Sequence, residues 1–285
     1  MPSFTTTKST KIYIAGDTGM VGSAVKNEFT SNGYHNIITA SPEEMDLRNQ
    51  QATNEFIARE KPGLVIIAAA KVGGIMANNT YPWDFIYDNI MIESNLIKAC
   101  HSKGINELIF LGSSCIYPRE APQPLREEYL LTGPLEPTNE WYAIAKIAGI
   151  KMCQAINRQY GRSYLSLMPT NLYGPNDNFD LYGSHVLPAM IRKFHDAKIS
   201  GNIPVVLWGS GKPRREFMHV HDLARAIRFI VEFRGDTEYD LLNIGTGKDL
   251  EIRELASIVK EVIGHNGMVE WDRTKPDGTM RKLLD

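Results

Sequence analysis

The segment KIYIAGDTGMVG, residues 11–22, is the strongest indication of the fold of this chain. It begins with a short β-rich run that opens directly onto a segment of evenly spaced glycines. A helix is predicted to follow from Met20 to Ser31, because the pair Asn32-Gly33 provides a stop signal. Strand, glycine turn and helix in this order are typical of the first unit of a nucleotide-binding α/β fold.

Three glycines, Gly16, Gly19 and Gly22, can each be explained by a bound pyrophosphate. The first allows a tight turn, the second leaves the helix N-terminus free of a side chain, and the third lets the helix pack closely on the strand. An ordinary strand-to-helix turn is the alternative, but the position after the first strand favours a dinucleotide cradle. The residues predicted to hold the cofactor at this turn are Gly16, Asp17, Thr18, Gly19, Met20, Val21 and Gly22.

Outward from this unit, β-rich runs alternate with helical patterns along the chain. Such alternation predicts an α/β fold with a doubly wound parallel sheet of the Rossmann type, whose right-handed crossovers place helices on both faces. The apolar run over residues 64–70 suits a strand buried on both faces. Further strands are predicted over residues 36–40, 107–112, 163–168 and 241–245, and helices over 50–60, 83–102, 142–160 and 222–233.

A second, smaller lobe is predicted where glycine, proline and asparagine crowd residues 173–183. The helix and strand patterns after residue 216 look like a return to the first lobe, so the lobes are expected to interleave. We predict an NADP-binding Rossmann domain over 1–175, with 216–247 returning to it, and a substrate-binding lobe over 176–215 and 248–285.

The composition is that of an ordinary globular protein, with 285 residues, 43% hydrophobic and 22% charged, and a formal net charge of −2. No basic field points to nucleic acid or to a membrane surface, and no apolar run approaches the length of a membrane-spanning helix. The polar N-terminal tail does not resemble a signal peptide, and three cysteines without close pairing argue against a disulfide framework. We therefore expect a cytoplasmic protein.

The end of the second predicted strand bears on which dinucleotide binds. An NAD site usually has Asp or Glu there to bind the ribose 2′-hydroxyl. Here residues 39–42 read Thr-Ala-Ser-Pro, so no carboxylate repels a 2′-phosphate and no Arg or Lys binds it. We expect NADP, with Ser41 among its contacts.

A serine, a tyrosine and a lysine form the second constellation. Tyr142 and Lys146 lie four residues apart on one face of a predicted helix, and Ser113 ends a predicted strand about thirty residues earlier. A nearby ammonium lowers the pKa of a phenol, so Tyr142 can exchange a proton with a carbonyl or alcohol oxygen that the serine polarises. Because chance alone gives roughly one Tyr-x-x-x-Lys pair in such a chain, an exposed helical face with Tyr142 as a packing residue is the alternative.

Cysteine and histidine residues offer further candidates. The commonest fate of a free cysteine such as Cys115 is that of a small buried apolar residue, and His185 could face solvent at a helix start. His219 and His221 could hold a metal, but no third ligand is suitably spaced, and Asp222 more simply caps the following helix. No metal is expected.

Seven segments together resemble one known family. They are AGDTGMVGS (residues 15–23), AAAKVGGI (68–75), LGSSCIYP (111–118), YAIAK (142–146), MPTNLYGP (168–175), SHVLP (184–188) and WGSGKPRREF (208–217). The chain resembles the extended short-chain dehydrogenase/reductases. Within them it is similar to the group that epimerises GDP-4-keto-6-deoxy-D-mannose at C3 and C5 and reduces it at C4 with NADPH, which yields GDP-L-fucose. The resemblance covers nearly the whole chain.

This resemblance implies a role for five catalytic residues. Tyr142 would be the acid for ketone reduction, Lys146 would tune it and bind the ribose, and Ser113 would bond the sugar C4 oxygen. Cys115 matches the base that removes protons next to the ketone, and His185 the group that supplies them on the other face. The enolate formed between these steps can be bound by the Ser113 and Tyr142 hydroxyls. A thiol with a pKa near about 8.5 needs a neighbouring positive charge to ionise at neutral pH.

Further contacts and a homodimer are also implied by the resemblance. The helices predicted over 83–102 and 142–160 pair across a two-fold in this family, and burial in the monomer core is the alternative reading of their apolar faces.

Thr18 and Pro42 stand where bacterial-type members often have arginine. The other implied cofactor contacts are Leu111, Gly112, Ser113, Ser114, Lys146, Pro169, Thr170, Asn171, Leu172 and His185, and the implied substrate contacts are Lys193, Trp208, Arg215 and Asp277.

Three alternatives stay open. A close relative that makes GDP-L-colitose acts on a 3-deoxy sugar, and the residues around the C3 pocket distinguish it. A UDP-sugar 4-epimerase would need no Cys/His pair and would retain NAD through its cycle. A non-catalytic dinucleotide-sensing protein commonly loses the tyrosine or the lysine, whereas Ser113, Tyr142 and Lys146 are all present here.

Overall fold

Alternating strands and helices build the molecule, as the sequence pattern predicts. The computed structural model describes residues 4–233, 239–275 and 277–285, so the first three residues of the predicted polar tail lie outside the described residues. The strands are β1 (Ile12–Ala15), β2 (Ile37–Ile38), β3 (Leu64–Ile67), β4 (Glu107–Leu111), β5 (Ser163–Pro169), β6 (Asn171–Tyr173), β7 (Val205–Trp208), β8 (Arg214–His219), β9 (Leu241–Ile244), β10 (Asp249–Glu251), β11 (Val269–Asp272) and β12 (Arg281–Lys282). The helices are α1 (Met20–Ser31), α2 (Gln50–Glu60), α3 (Ile75–Thr80), α4 (Pro82–Ser102), α5 (Glu140–Tyr160), α6 (Val186–Ile199), α7 (Val220–Glu232) and α8 (Ile252–Ile263).

A six-stranded sheet with the order β2-β1-β3-β4-β5-β9 forms the centre, and all its neighbouring pairs are parallel. The strand order reverses between β1 and β3, and such a reversal leaves a crevice outside the carboxyl ends of the strands where ligands bind. The glycine turn over residues 16–22 follows β1, so it opens onto this crevice. The predicted doubly wound sheet is confirmed.

The helix bounds predicted for α1 and α2 are confirmed, and the strand bounds differ more. The strand predicted over residues 64–70 ends at Ile67, because the chain leaves the sheet there to pass the glycine turn: a Cβ on Gly16 would lie 2.7 Å from Ala69 Cα. The strand predicted over 36–40 is reduced to Ile37–Ile38, since β2 is an edge strand that pairs only with β1.

Apolar layers cover both faces of the central sheet. Successive residues of β1 point to opposite faces, so Tyr13 joins the layer formed with α4 and α5, while Ile14 joins the layer formed with α1 and α7. A third cluster, which includes Phe194 and Val259, lies under α6 and α8. It supports two small sheets, one in which β8 pairs with β6, β10 and β12 and one formed by β7 and β11. Within the described ranges, no helix is both long and apolar enough to cross a membrane.

Candidate active site

A cavity of about 330 Å³ lies at the carboxyl edge of the central sheet, where the small sheets and α6 meet it. Its wall draws residues from positions far apart in the chain, since the ends of β4 and β8, the first turn of α5 and the start of α6 all reach it. The predicted site residues in this wall are Ser113, Ser114, Cys115, Tyr142, Asn171, His185, Lys193, Trp208, Arg215 and Asp277.

A tight turn after β4 places a hydroxyl beside a thiol. Ser113 is extended, and its Oγ accepts a hydrogen bond from the Cys115 backbone N–H at 3.4 Å, which caps the 3-10 turn Ser114–Ile116. Cys115 is only 5% exposed, yet it borders the cavity. The cap therefore holds the hydroxyl and the thiol at neighbouring points of one wall.

Tyr142 projects into the cavity from the first turn of α5. Its ring meets the Phe85 ring edge-on, with 6.4 Å between their centres. Burial raises the pKa of the Tyr142 phenol well above its ordinary value, and nearby Cys115 and Glu93 add to the rise. The phenol therefore holds its proton at neutral pH when no cofactor is bound. That Lys146 and a cofactor ribose together lower the pKa of this phenol stays a prediction.

Lys146 lies behind Tyr142 and outside the cavity wall, at 2% exposure. Its Nζ is 2.8 Å from Oε1 of Glu93, a residue of α4 with no exposed surface, and 4.7 Å from the centre of the Phe110 ring. The paired carboxylate offsets the positive charge that the ammonium presents to the phenol. Sequence reasoning missed Glu93, and the available signal was a lone acid in an apolar stretch of a predicted helix.

His185 stands at the N-cap of α6, and a loop from the other side of the cavity positions it. The Gly74 N–H donates to the Gly183 carbonyl at 2.8 Å, and a Cβ on Gly74 would clash with the Ser184 carbonyl. The imidazole is accessible through the cavity but surrounded by protein, which lowers its pKa, while Asp177 acts in the opposite direction. The resting ring is therefore neutral at neutral pH.

Lys282 is a cavity residue that sequence reasoning also missed. It belongs to β12, which pairs with β8, and the Leu284 N–H next to this strand donates to the buried Glu216 carboxylate at 3.0 Å. Burial raises the pKa of the Cys115 thiol, and Lys282, the hydrogen bond with Ser113 and Lys146 oppose that rise. No sequence signal distinguished Lys282 from a surface lysine, because only the strand pairing brings it to the thiol.

Three cations in the wall have no carboxylate partner. Lys193, Arg215 and Lys282 form no ion pair with any residue in the part of the chain that the structure describes. Desolvation lowers the pKa of Lys193, and it lowers that of Arg215 to about 10 despite the opposing effect of Glu136 and Asp277. Because desolvated cations are costly without a counter-ion, the cavity suits a polyanionic ligand.

The two remaining predicted substrate residues lie on the same side of the cavity. Trp208 is 41% exposed, and the Nζ atoms of Lys193 and Lys275 lie 5.4 and 5.6 Å from its ring centre. The Asp277 carboxylate accepts hydrogen bonds from the Ser210 N–H at 2.6 Å and its Oγ at 2.8 Å. It therefore clamps two loops together in addition to bordering the cavity.

The glycine turn after β1 fits a pyrophosphate. Gly16 has a φ of +87°, and a Cβ on Gly22 would clash with the Gly16 carbonyl, so both glycines are required by the backbone itself. A Cβ on Gly19 would meet nothing nearer than 3.5 Å, so the protein leaves this space open. The N-terminus of α1 also has no side-chain cap and no acidic residue in its first turn. The neighbouring Asp17 pairs with Lys26 at 2.8 Å.

Other predicted cofactor residues lie along the carboxyl edge of the sheet. Leu111, Gly112 and Pro169 are buried at the ends of β4 and β5, and Leu172 is half-buried in β6. The Thr170 hydroxyl and the Asn171 amide both donate to the Glu216 carbonyl, at 3.1 and 2.8 Å. Ser41 donates its N–H to Glu44 at 2.9 Å near the end of β2. In the described part of the chain, no three His, Cys, Asp or Glu side chains are placed to hold a metal.

Gly19→Ala is expected to weaken NADPH binding at least about tenfold without lowering the thermal midpoint of unfolding. The backbone at Gly19, with φ of −79°, accepts a side chain, and the added methyl would point into the open space where the pyrophosphate is predicted. A fluorescence titration with NADPH measures the first effect, and thermal unfolding without cofactor measures the second. Gly22→Ala is the contrasting variant, since it should lower the midpoint as well, and unchanged NADPH affinity in Gly19→Ala would contradict the cradle.

The fold and the site define a dinucleotide-dependent enzyme of the short-chain dehydrogenase/reductase class, because a glycine turn at the β1/β3 crevice is combined with a Ser-Tyr-Lys set at the ends of β4 and α5. Its sequence also matches the profile of one family over residues 12–245. The chain belongs to the NAD dependent epimerase/dehydratase family.

Among proteins of known sequence, the chain is similar to several GDP-L-fucose synthases. The chain is 55% identical to a putative GDP-L-fucose synthase 2 of Arabidopsis thaliana, over 99% of this chain and 86% of that protein. It is 52% identical to the GDP-L-fucose synthase of Escherichia coli K12, over 96% and 88%. A GDP-L-colitose synthase of Yersinia pseudotuberculosis is more distant, at 39% identity over 96% and 89%.

Two solved structures share the fold over nearly the whole chain. A GDP-6-OMe-4-keto-L-xylo-heptose reductase from C. jejuni superposes with a TM-score of 0.90 at 36% identity, over 98% of this chain and 91% of that one. An NADP-bound GDP-L-fucose synthetase from Naegleria fowleri has a TM-score of 0.89 at 28% identity, over 99% and 87%.

Proposed function

We propose that this chain converts GDP-4-keto-6-deoxy-D-mannose to GDP-L-fucose, by epimerisation at C3 and C5 followed by NADPH-dependent reduction at C4. One observation carries the proposal: the Cys115 thiol and the His185 imidazole share a single cavity with the Ser113 and Tyr142 hydroxyls. A simple reductase needs only the hydroxyl pair and the lysine. The additional thiol and imidazole are what proton exchange beside a ketone requires. The names of the relatives at 52–55% identity agree with this assignment.

Proton exchange at the carbons beside the ketone is assigned to Cys115 and His185. The ketone oxygen accepts hydrogen bonds from Ser113 and Tyr142, so the enolate formed after proton removal keeps both donors. Cys115 takes the proton as a thiolate, and Lys282 stabilises that charge. His185 returns a proton from the other side, and a bound diphosphate would add to the influence of Asp177 in favouring the imidazolium.

Reduction at C4 is assigned to Tyr142 and Lys146. When bound, NADPH supplies the hydride. Tyr142 supplies the proton to the C4 oxygen, which suits a phenol that burial keeps protonated. Lys146 and the glycine turn hold the dinucleotide, and Ser41 contacts its adenosine half.

The GDP moiety is assigned to the cations and the tryptophan of the second lobe. Lys193, Arg215 and Lys282 together offer the charge that a diphosphate needs, and Arg215 can bind it in a bidentate manner. Trp208 lies beside them with an exposed ring that suits a flat base or a sugar face. We also propose the division into a cofactor part, 1–175 with 216–247, and a substrate part, 176–215 with 248–285, because the cavity draws its walls from both.

A homodimer in the cytoplasm completes the proposal. Helices α4 and α5 pack on each other, yet Trp83, Tyr87 and Trp141 stay 69%, 44% and 42% exposed on them. Apolar rings on such a surface suit a two-fold helical interface. The three cysteines are all free and buried, which agrees with a reducing compartment.

Product analysis in deuterated water with NADPH tests the proposed function. The expected product from GDP-4-keto-6-deoxy-D-mannose is GDP-L-fucose with deuterium at both C3 and C5. Reduction without deuterium at either carbon would mean a simple 4-reductase and would overturn the proposal. Deuterium at C5 alone would point instead to a relative that acts on 3-deoxy sugars.

A further inference from the structure

The fully buried ion pair between Glu93 and Lys146 is not explained by the proposed roles of the site residues. Glu93 has no exposed surface and Lys146 only 2%, with 2.8 Å between the carboxylate and the ammonium. Burying two charges costs more than a well-packed apolar pair would, so such a pair is weak evidence for stability. A reason other than stability is therefore needed for an acid at this position.

We propose that Glu93 is a positioning residue for the reduction: its carboxylate anchors the Lys146 ammonium behind Tyr142 and keeps the tyrosine in its proton-donating state. This inference rests on the proposed function. Glu93 touches neither the cavity nor the predicted substrate site, and it acts through its two neighbours on α5.

The packing around the pair is shaped to hold it. Lys146 and Gly149 lie three residues apart on α5, and a Cβ on Gly149 would lie 2.5 Å from the Phe110 ring and 2.8 Å from Glu93 Oε2. This glycine therefore makes room for both the Phe110 ring and the carboxylate where α4 and α5 meet. On the other side, the Lys146 Nζ lies 4.7 Å from the Phe110 ring centre and 5.7 Å from that of Tyr142. The ammonium thus has one anionic partner and two aromatic faces.

The titratable groups that face the pair come from three elements. Glu93 lies on α4, Tyr142 and Cys153 lie on α5, and Cys115 lies in the turn after β4. Burial raises the pKa of Glu93 while Lys146 lowers it, and Glu93 in turn raises the pKa of Tyr142. Lys282 lies beyond Cys115 and acts on that thiol.

Removing the carboxylate affects both partners. Without Glu93, the buried Lys146 ammonium loses its counter-ion and is no longer held behind Tyr142. Tyr142 loses a nearby negative charge, so it deprotonates at lower pH. Both changes reduce the population of protonated Tyr142 beside a correctly placed Lys146 on the alkaline side.

Glu93→Gln tests the inference because it keeps the size of the side chain and removes the charge. The first readout is the pH dependence of NADPH affinity from about pH 6 to pH 10, measured by fluorescence titration without substrate. We expect the alkaline loss of affinity to occur at least about one pH unit lower than in the unmodified protein. The second readout is the rate of C4 reduction, whose alkaline limb should move in the same direction. Unmoved profiles in a folded Glu93→Gln protein would overturn the inference.

Glu107→Gln is the matched control, since Glu107 is another buried carboxylate and accepts its hydrogen bonds from Thr5 and Thr6, away from the cavity. This variant should change stability at most and should leave both pH profiles unchanged. If Glu93→Gln does not fold, Glu93→Asp decides the matter: the shorter side chain withdraws the carboxylate from Nζ, so a smaller shift in the same direction is expected, and no shift overturns the inference. The NADPH titration needs no turnover, so it tests this inference even if the protein does not catalyse the proposed reaction. Failure of the proposed function would show as no product, and failure of this inference would show as an unmoved pH profile of NADPH affinity.

Discussion

Tyr142→Phe is expected to slow hydride transfer to C4 by about 10²- to 10⁴-fold, because this substitution removes the proposed acid and keeps the ring. The phenylalanine ring of the variant would still pack against Phe85 as the tyrosine ring does, so the cavity should keep its shape. Deuterium exchange at the carbons beside the ketone should fall much less, since the Ser113 hydroxyl remains to bind the enolate oxygen. Single-turnover loss of NADPH absorbance reports the reduction, and the mass of the recovered keto sugar reports the exchange.

Tyr117→Phe is the matched control for this experiment. Tyr117 is buried like a core residue, and its hydroxyl donates to Asn243 at 2.6 Å outside the cavity. The control should therefore keep both reactions while it loses one buried hydrogen bond. If Tyr142→Phe retained the full rate of reduction, the protein would be better described as a dinucleotide-binding protein with a different catalytic group or none.

Cys115→Ser should reduce deuterium incorporation at C3 and C5 by at least about 100-fold, because a hydroxyl is a far weaker base than a thiolate near neutral pH. Hydride transfer to a ketone that has already been epimerised should change much less, since Tyr142 and Lys146 are intact. The unmodified protein should exchange faster as the pH rises through the neutral range, because burial raises the pKa of the Cys115 thiol and leaves only part of it ionised. Mass spectrometry of the sugar at several pH values measures the deuterium incorporation and its pH dependence. Loss of NADPH absorbance measures the hydride transfer.

Cys153→Ala is the control for that variant, as Cys153 is fully buried on α5 outside the cavity wall. Its exchange rates should match those of the unmodified protein. Equal losses of exchange and of hydride transfer in Cys115→Ser would instead mean that Cys115 is structural, through the turn that Ser113 caps.

Much of the fold could be predicted because its signals are local. The glycine spacing after β1, the stop signal after α1 and the all-apolar β3 each depend on a few adjacent residues, and the structure places these elements within a few residues of the prediction. The least accurate bounds belong to β2 and β3, where neighbouring strands and the glycine turn decide how far pairing continues.

The candidate site could be predicted only in part. Ser113, Cys115, Tyr142 and His185 stand in segments that a family resemblance identifies, and the structure brings them to one cavity. Glu93 and Lys282 stayed hidden, because each acts through a partner that is distant in sequence. For Glu93 the distance from Lys146 is 53 residues along the chain, and no short pattern connects them.

The class of fold follows from the sequence alone, because glycine spacing and strand periodicity are properties of short segments. The same segments predict the dinucleotide cradle, and the family resemblance predicts which side chains react. The electrostatic state of those side chains depends on contacts that form only in the folded protein. Helix α4 brings the carboxylate that neutralises Lys146, and β12 brings the cation that faces Cys115. The strength of a charge interaction depends on the distance between the groups and on their burial, and neither quantity can be read from the order of the residues.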